Sequence, residues 1–124
     1  METTTLSPNT LVIRNEDQSN DAIKLDYMAV KSAAMTLRAI NHKLRQQIIK
    51  LLEENKKMNV TDIYVRLRLE QSVASQHLAI LRRAEIVETS RDGKFIHYSL
   101  NHARIADVAK FVKELVNGEE KTNW

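Results

Sequence analysis

The chain has 124 residues, a formal charge of +3, 43% apolar residues, two glycines, one proline and no cysteine. That length suits one domain with a real core, and the missing cysteines exclude a disulfide scaffold, a thiolate metal site and a thiol switch. No run approaches the roughly 20 apolar residues a bilayer requires, and METTTLSPNT lacks a basic region followed by an apolar run, so the sequence reads as cytoplasmic with no membrane partner.

Residues 1–20 are polar, with Arg14 set against Glu2, Glu16 and Asp17. They read as a flexible tail, apart from the apolar run Leu11-Val12-Ile13. The other reading of that run is a short arm packed on a dimer. Residues 21–118 read as one domain and 119–124 as a short C-terminal tail. Positive charge sits in the middle of the chain, where Lys and Arg outnumber Asp and Glu across residues 41–100.

The spacing predicts one helix over residues 21–40, with Asp21 in its first turn. Ala22, Leu25, Ala29, Ala33, Leu37 and Ile40 recur at helical intervals, and Ile23, Met28, Val30 and Met35 widen the stripe. A helix apolar on more than one face must bury against something beyond its own core, and a partner chain is the natural candidate. A second helix begins at Asn41. Leu44, Ile48, Leu51 and Leu52 face inward, while Lys43, Arg45, Gln47 and Lys50 are expected outside, and Asn55-Lys56-Lys57 ends the pattern. A third helix starts near Asn59, which has capping-box spacing with Asp62. Val60, Ile63 and Leu67 face inward. After a tight turn near 68–71, Val73, Ala74, Leu78 and Leu81 mark the buried side of a fourth helix.

The period then changes. Ile86–Ser90 and Phe95–Leu100 are strand-like, and Asp92-Gly93 between them signals a two-residue type I′ hairpin turn. A last helix over about 102–117 carries Ile105, Val108, Val112 and Leu115, widened by Ala109, Phe111 and Val116, with Gly118 placed to end it.

The resulting fold class is mainly α (α+β): a winged helix-turn-helix with a β-hairpin wing, flanked by N- and C-terminal helices suited to dimerisation. DNA's major groove admits one α-helix. Gln71, Ser72, Ser75 and Gln76 on the outer side of the fourth helix are candidates for base edges. Arg82 and Arg83 are candidates for phosphates, and Arg91 and Lys94 on the wing for phosphates or the minor groove. His77 either touches DNA or packs against the support helix. Each feature alone is commonly a solvated surface; their joint order and spacing point to double-stranded DNA as partner. The competing reading, motivated by the low net charge and by Glu70, is a winged-helix protein-interaction module. No nucleophile–base pair, Gly-rich phosphate loop, metal constellation or cofactor site is visible, which argues against an enzyme.

The segments LRAINHKLRQQIIKLL, NVTDI, QSVASQHLAILRRAEIV and RDGKFIHYSLN resemble the ArsR/SmtB family of bacterial repressors. The resemblance implies a homodimer built from the first and last helices, with Leu25, Met28, Ala29, Ile105, Val108, Val112 and Leu115 as candidate contacts. It also implies repression relieved by an inducer, and a palindromic operator read by helices about one DNA turn, ~34 Å, apart. The family's metal positions depart from pattern. Asn59 and Thr61 stand where thiolate ligands would be, and His102, Arg104, Leu115 and Gly118 stand at the last-helix site, so no metal is expected and the inducer stays open. Sulfur- and peroxide-sensing mechanisms need cysteine. Glu70 replaces a usual capping Ser. Glu85 replaces a usual Gly, and if that position needs positive φ the strain is about 1 kcal/mol.

Overall fold

A computed structural model of the chain describes residues 8–14 and 22–122, with side chains described as far as residue 117. The chain divides into two compact units, Met1–Thr36 and Leu37–Trp124. The division falls inside the first helix.

In the first unit, β1 (Thr10–Arg14) and β2 (Ala22–Asp26) form an antiparallel hairpin, and α1 (Tyr27–Ile40) follows β2 without an intervening residue. This corrects the expectation of a tail that includes 10–14 and of one helix from residue 21. Leu11 lies opposite Leu25 and Ile13 opposite Ile23, so residues that fit a helical stripe instead pair across strands. Asp26, not Asp21, starts the helix. Its Oδ1 accepts from the amides of Met28 at 2.9 Å and Ala29 at 3.4 Å, satisfying two of the four amides a helix start leaves open. Asp21 and residues 1–7 and 15–20 of the expected tail lie outside the described residues.

In the second unit, α2 (Lys43–Asn55), α3 (Val60–Leu67) and α4 (Gln71–Arg83) are followed by β4 (Val87–Asp92), β5 (Phe95–Leu100) and α5 (His102–Thr122). A two-residue strand, β3 (Met58–Asn59), completes an antiparallel sheet in the order β3-β5-β4. The core is one cluster in which Ile48, Leu52, Ile63, Leu78, Leu81, Ile86 and Val87 are fully buried, with Leu51, Met58 and Leu100 beside them. Every helix of the predicted order is present, and the wing follows α4 as expected.

Four local details differ from the pattern reading. Arg45, expected outside, is 7% exposed. β4 runs through Asp92, which pairs with Phe95, so the hairpin turn is Gly93-Lys94. Gly93 has φ 65° and Lys94 is not among the positive-φ residues, which is the II′ pattern with glycine first and not the expected I′. α5 continues through Gly118 to Thr122. A mid-helix glycine costs about 1 kcal/mol against alanine, and the Glu-Glu-Lys after it favours helix, so the expected stop is overridden. The remaining residues of the expected C-terminal tail, 123–124, lie outside the described residues. Finally, β3 pairs Met58 with Tyr98 and Asn59 with His97, a long-range pairing that a two-residue run cannot announce.

Candidate nucleic-acid interface

The turn between α3 and α4 sets the angle at which α4 is presented. Arg68 takes φ 57° in the left-handed region. Its amide donates to the carbonyl of Val65 at 3.2 Å, and that of Leu69 to Tyr64 at 2.9 Å. These bonds close the end of α3 in the geometry usually reserved for glycine. At the other end of α3, Asn59 Oδ1 accepts from the Asp62 amide at 2.8 Å. Glu70 precedes α4 in extended geometry and makes no side-chain cap, as expected of a residue too long to reach its own helix amides.

Along α4, Ala74, Leu78 and Leu81 are fully buried. Gln71, Ser72, Ser75, Gln76, Arg82 and Arg83 are all exposed. Their spacing puts Ser72, Gln76 and Arg83 across the helix from the buried stripe and Gln71, Ser75 and Arg82 along its flank. Exposure of a short polar row on a helix fixed from behind is what close approach to base edges demands.

The structure sets His77 apart from that row. It is half-buried, its ring centroid lies 4.9 Å from that of His42, and its Nδ1 accepts from Arg45 Nη1 at 3.2 Å. A guanidinium only donates, so His77 carries its proton on Nε2. Partial burial above all, then the neighbouring His42 and Arg45, hold its pKa below the ordinary histidine value. Arg45 itself is buried with neutral partners. Its Nε donates to the Ala39 carbonyl and its Nη2 to the Arg38 carbonyl, at 2.6 and 3.0 Å. Both carbonyls belong to the last turn of α1, where the helix dipole favours a cation. His42 caps α2 by accepting from the Leu44 amide at 3.2 Å. Support for α4 thus includes a polar network that the pattern reading, which placed Arg45 in solvent, did not find.

Beside the exposed row, Ser75, Ala79, Arg82, Arg83 and Tyr98 line a groove of about 440 Å³ between α4 and β5. Two guanidiniums flanked by hydroxyl-bearing residues match the donors that phosphate oxygens accept. Sequence spacing marks Tyr98 only as a strand residue. Its alternation with Leu100, a core residue, was the available signal, but which helix that strand face meets is a tertiary fact. On the wing, Arg91 and Lys94 are exposed. Arg91 Nε donates to the Gly93 carbonyl at 3.4 Å, a long bond that ties it loosely to the turn.

The C-terminal end of α4 explains the replaced glycine. Glu85 has φ 64°, its amide donates to the Arg82 carbonyl at 2.9 Å, and the Ile86 amide donates to Leu81 at 3.0 Å. This Schellman closure swings the chain from α4 into β4 and buries Ile86 beside Leu81. Arg104 Nε donates to the Ala84 carbonyl at 3.2 Å, and its Nη2 lies 4.0 Å from the Glu85 carboxylate. Arg104 is a donor bonded to the end of α4, and Asn59 spends its oxygen on a helix amide. His102 is largely exposed and lies 3.6 Å from Glu53. Among the described residues, no three His, Asp or Glu side chains are arranged to hold a metal ion.

Of the candidate dimer residues, Ile105 and Val108 lean on the chain's own core, whereas Val112 and Leu115 are exposed with Phe111 and Val116. Leu25, Met28 and Ala29 are exposed as well, Leu25 on β2 and not on a helix. Among the described residues, no helix is long and apolar enough to cross a membrane.

Comparison with known proteins agrees with this geometry. Residues 42–89, from the α2 cap into the wing, match the model of the bacterial regulatory protein, arsR family. Over 92 residues the chain is 33% identical to the transcriptional repressor PagR of Bacillus anthracis, covering 74% of this chain and 92% of that one. The PagR crystal structure superposes with a TM-score of 0.57 at 34% identity, over 69% of this chain and 98% of that one. HlyU of Vibrio cholerae, a transcriptional activator, is 32% identical over 83 residues, covering 67% of this chain and 76% of that one. Its structure superposes with a TM-score of 0.56 at 31% identity, over 70% of this chain and 94% of that one. With a helix-turn-helix inside the matched segment and relatives above 30% identity covered over most of their length, the chain belongs to the arsR family of bacterial regulatory proteins and is a DNA-binding regulator of transcription.

Proposed function

We propose that the chain is a homodimeric repressor that reads a palindromic operator. In this reading Gln71, Ser72, Ser75 and Gln76 face base edges, Arg82, Arg83 and Tyr98 seat a phosphate in the groove, and Arg91 and Lys94 hold the flanking backbone. The observation that carries it is the exposed polar row of α4 ending in a cationic groove. His77 acts from behind, orienting α4 through Arg45 and His42 without touching DNA. The homodimer is supported by exposed apolar side chains in both units: Met28, Val30 and Met35 on α1, and Phe111, Val112, Leu115 and Val116 on one face of α5. The signal that relieves repression does not act through the family's metal positions, because Asn59 and Arg104 are committed to helix ends.

The test is binding of the full chain to its own promoter region across a salt series, against random DNA of equal length. The expected result is nanomolar affinity that falls steeply with salt, with sequence preference of at least about 10³-fold. Micromolar affinity indifferent to sequence would overturn the reading in favour of a protein-interaction module. A second direction of control rests on HlyU, named an activator. A promoter–reporter fusion decides it: deletion of the regulator raises reporter output under repression and lowers it under activation.

A further inference from the structure

The β1–β2 hairpin lies outside the segment matched by the family model, residues 42–89, and nothing in DNA reading uses it. Its cross-strand register brings Leu11 opposite Leu25 and Ile13 opposite Ile23. In an antiparallel ladder directly opposed residues share a face, and residues two apart on a strand return to it. The four side chains therefore make one apolar face, while Val12 and Lys24 sit on the other. All four are exposed: Leu11 39%, Ile13 45%, Ile23 61% and Leu25 40%.

Such a face is not a stable endpoint. A two-stranded hairpin is marginal in water unless a further layer covers it. Among the described residues of the first unit, 8–14 and 22–36, none is buried. The hairpin is nevertheless tightly joined to α1. Tyr27 N–H donates to the Asn9 carbonyl at 2.8 Å, closing the open end of the hairpin onto the first residue of α1, and Asp26 caps that helix. The exposed apolar residues also continue in sequence, through Tyr27 and Met28 to Val30.

We propose that the Leu11–Ile13–Ile23–Leu25 face is an interaction surface for a second copy of this chain, an arm added to the dimer. The inference rests on the homodimer reading and extends it beyond the helices. The occupant is set by three observations. The face runs without a linker into α1, whose exposed apolar residues Met28 and Met35 support that dimer. It is apolar, so a phosphate backbone gains nothing on it. And a second copy brings matching uncovered apolar side chains of its own, on α1 and on α5, at equal concentration. In a two-fold assembly each arm would be covered once by its partner.

The absence of cysteine makes the test clean, because a single introduced thiol reports alone. In the full-length chain carrying Ile23→Cys, the rate of alkylation by iodoacetamide is followed over a dilution series, with sedimentation equilibrium on the same samples. The expected result is a rate that drops about tenfold as monomer becomes dimer, tracking the monomer fraction. A thiol that stays equally reactive while the protein passes from monomer to dimer overturns the arm and leaves the helix-based dimer standing. Protection that does not change on dilution into the monomer overturns it too, since the cover would then come from the same chain. A protein that is monomeric at every concentration overturns the dimer reading, and the arm with it. As a second measurement, Ile13→Thr with Ile23→Thr keeps strand-forming, β-branched side chains while removing apolar surface. This variant should weaken dimerisation at least about tenfold by the same sedimentation assay. An unchanged dimer overturns the proposal.

Discussion

Two side chains of α4, adjacent in sequence, sit in different surroundings. Gln76 is exposed on the outer row, and its amide can both donate and accept, the pattern adenine presents in the major groove. Gln76→Ala should therefore weaken operator binding by about 1–3 kcal/mol while barely changing binding to random DNA. Equal losses on both, in parallel titrations, would remove Gln76 from the base readers. His77, one residue on, turns to Arg45 and His42. Its folded pKa lies below the ordinary value of about 6.5, so the unfolded chain takes up this proton first as pH falls. The stabilisation is present above about 6.5 and is lost as pH falls towards the lowered folded value. Urea titrations of the wild type and His77→Gln should show a stability gap that is constant from pH 8 to about 7 and narrows below 6.5. A gap that ignores pH would separate His77 from the effect. The outward row was legible in the sequence because it follows from helical spacing alone. The inward network was not, because Arg45 is held by carbonyls at the end of another helix, and composition marks a lone arginine as a surface residue.

At the scale of elements, the ends matter more than the middles. The polypeptide leaves α4 through Glu85 at positive φ, a conformation about 1 kcal/mol easier for glycine. Glu85→Gly should stabilise the fold by about 0.5–1 kcal/mol in denaturant unfolding, less what is lost with the exposed and weak Arg104 pair. A destabilised variant would mean that this contact outweighs the backbone strain. The wing is a short arm of two strands with cations at its tip. Arg91→Ala should lower affinity for all DNA and flatten the salt dependence by about one phosphate contact. An unchanged slope would take the wing off the backbone. The helices α2 to α5 and the wing were legible from periodicity and from Gly93. The first strands were not, since Ile23 and Leu25 fit a helical stripe until their partners Leu11 and Ile13, about twelve residues earlier, are known.

For the whole molecule, the homodimer is the claim most exposed to test. Leu115 is 59% exposed on an apolar side of α5. Leu115→Glu would place a charge in each half of a two-fold contact and should raise the dimer dissociation constant at least about tenfold, ~1.4 kcal/mol, by sedimentation equilibrium. Operator affinity should fall with it, while the monomer keeps its helical circular dichroism. A dimer indifferent to this change is built on another surface. The wide apolar stripes in the sequence suggest a partner chain, although Ala22, Ile23 and Leu25 of the first stripe lie on β2. The sequence did not sort Ile105 and Val108, which serve the chain's own core, from Val112 and Leu115, which do not. That division depends on where α5 meets the rest of its unit.

The pairing of β3 with β5 bears on the order in which the protein is built. Met58 finds its strand partner Tyr98 roughly 40 residues later, and α3, α4 and β4 all lie inside the loop so closed. On a ribosome α4 is made well before β5, the strand that joins β3 and β4 into one sheet. A nascent chain stopped short of Phe95 would carry all of α4 with no β5 to form the far wall of its groove. Competence to bind an operator should thus appear late in synthesis, with the emergence of the wing.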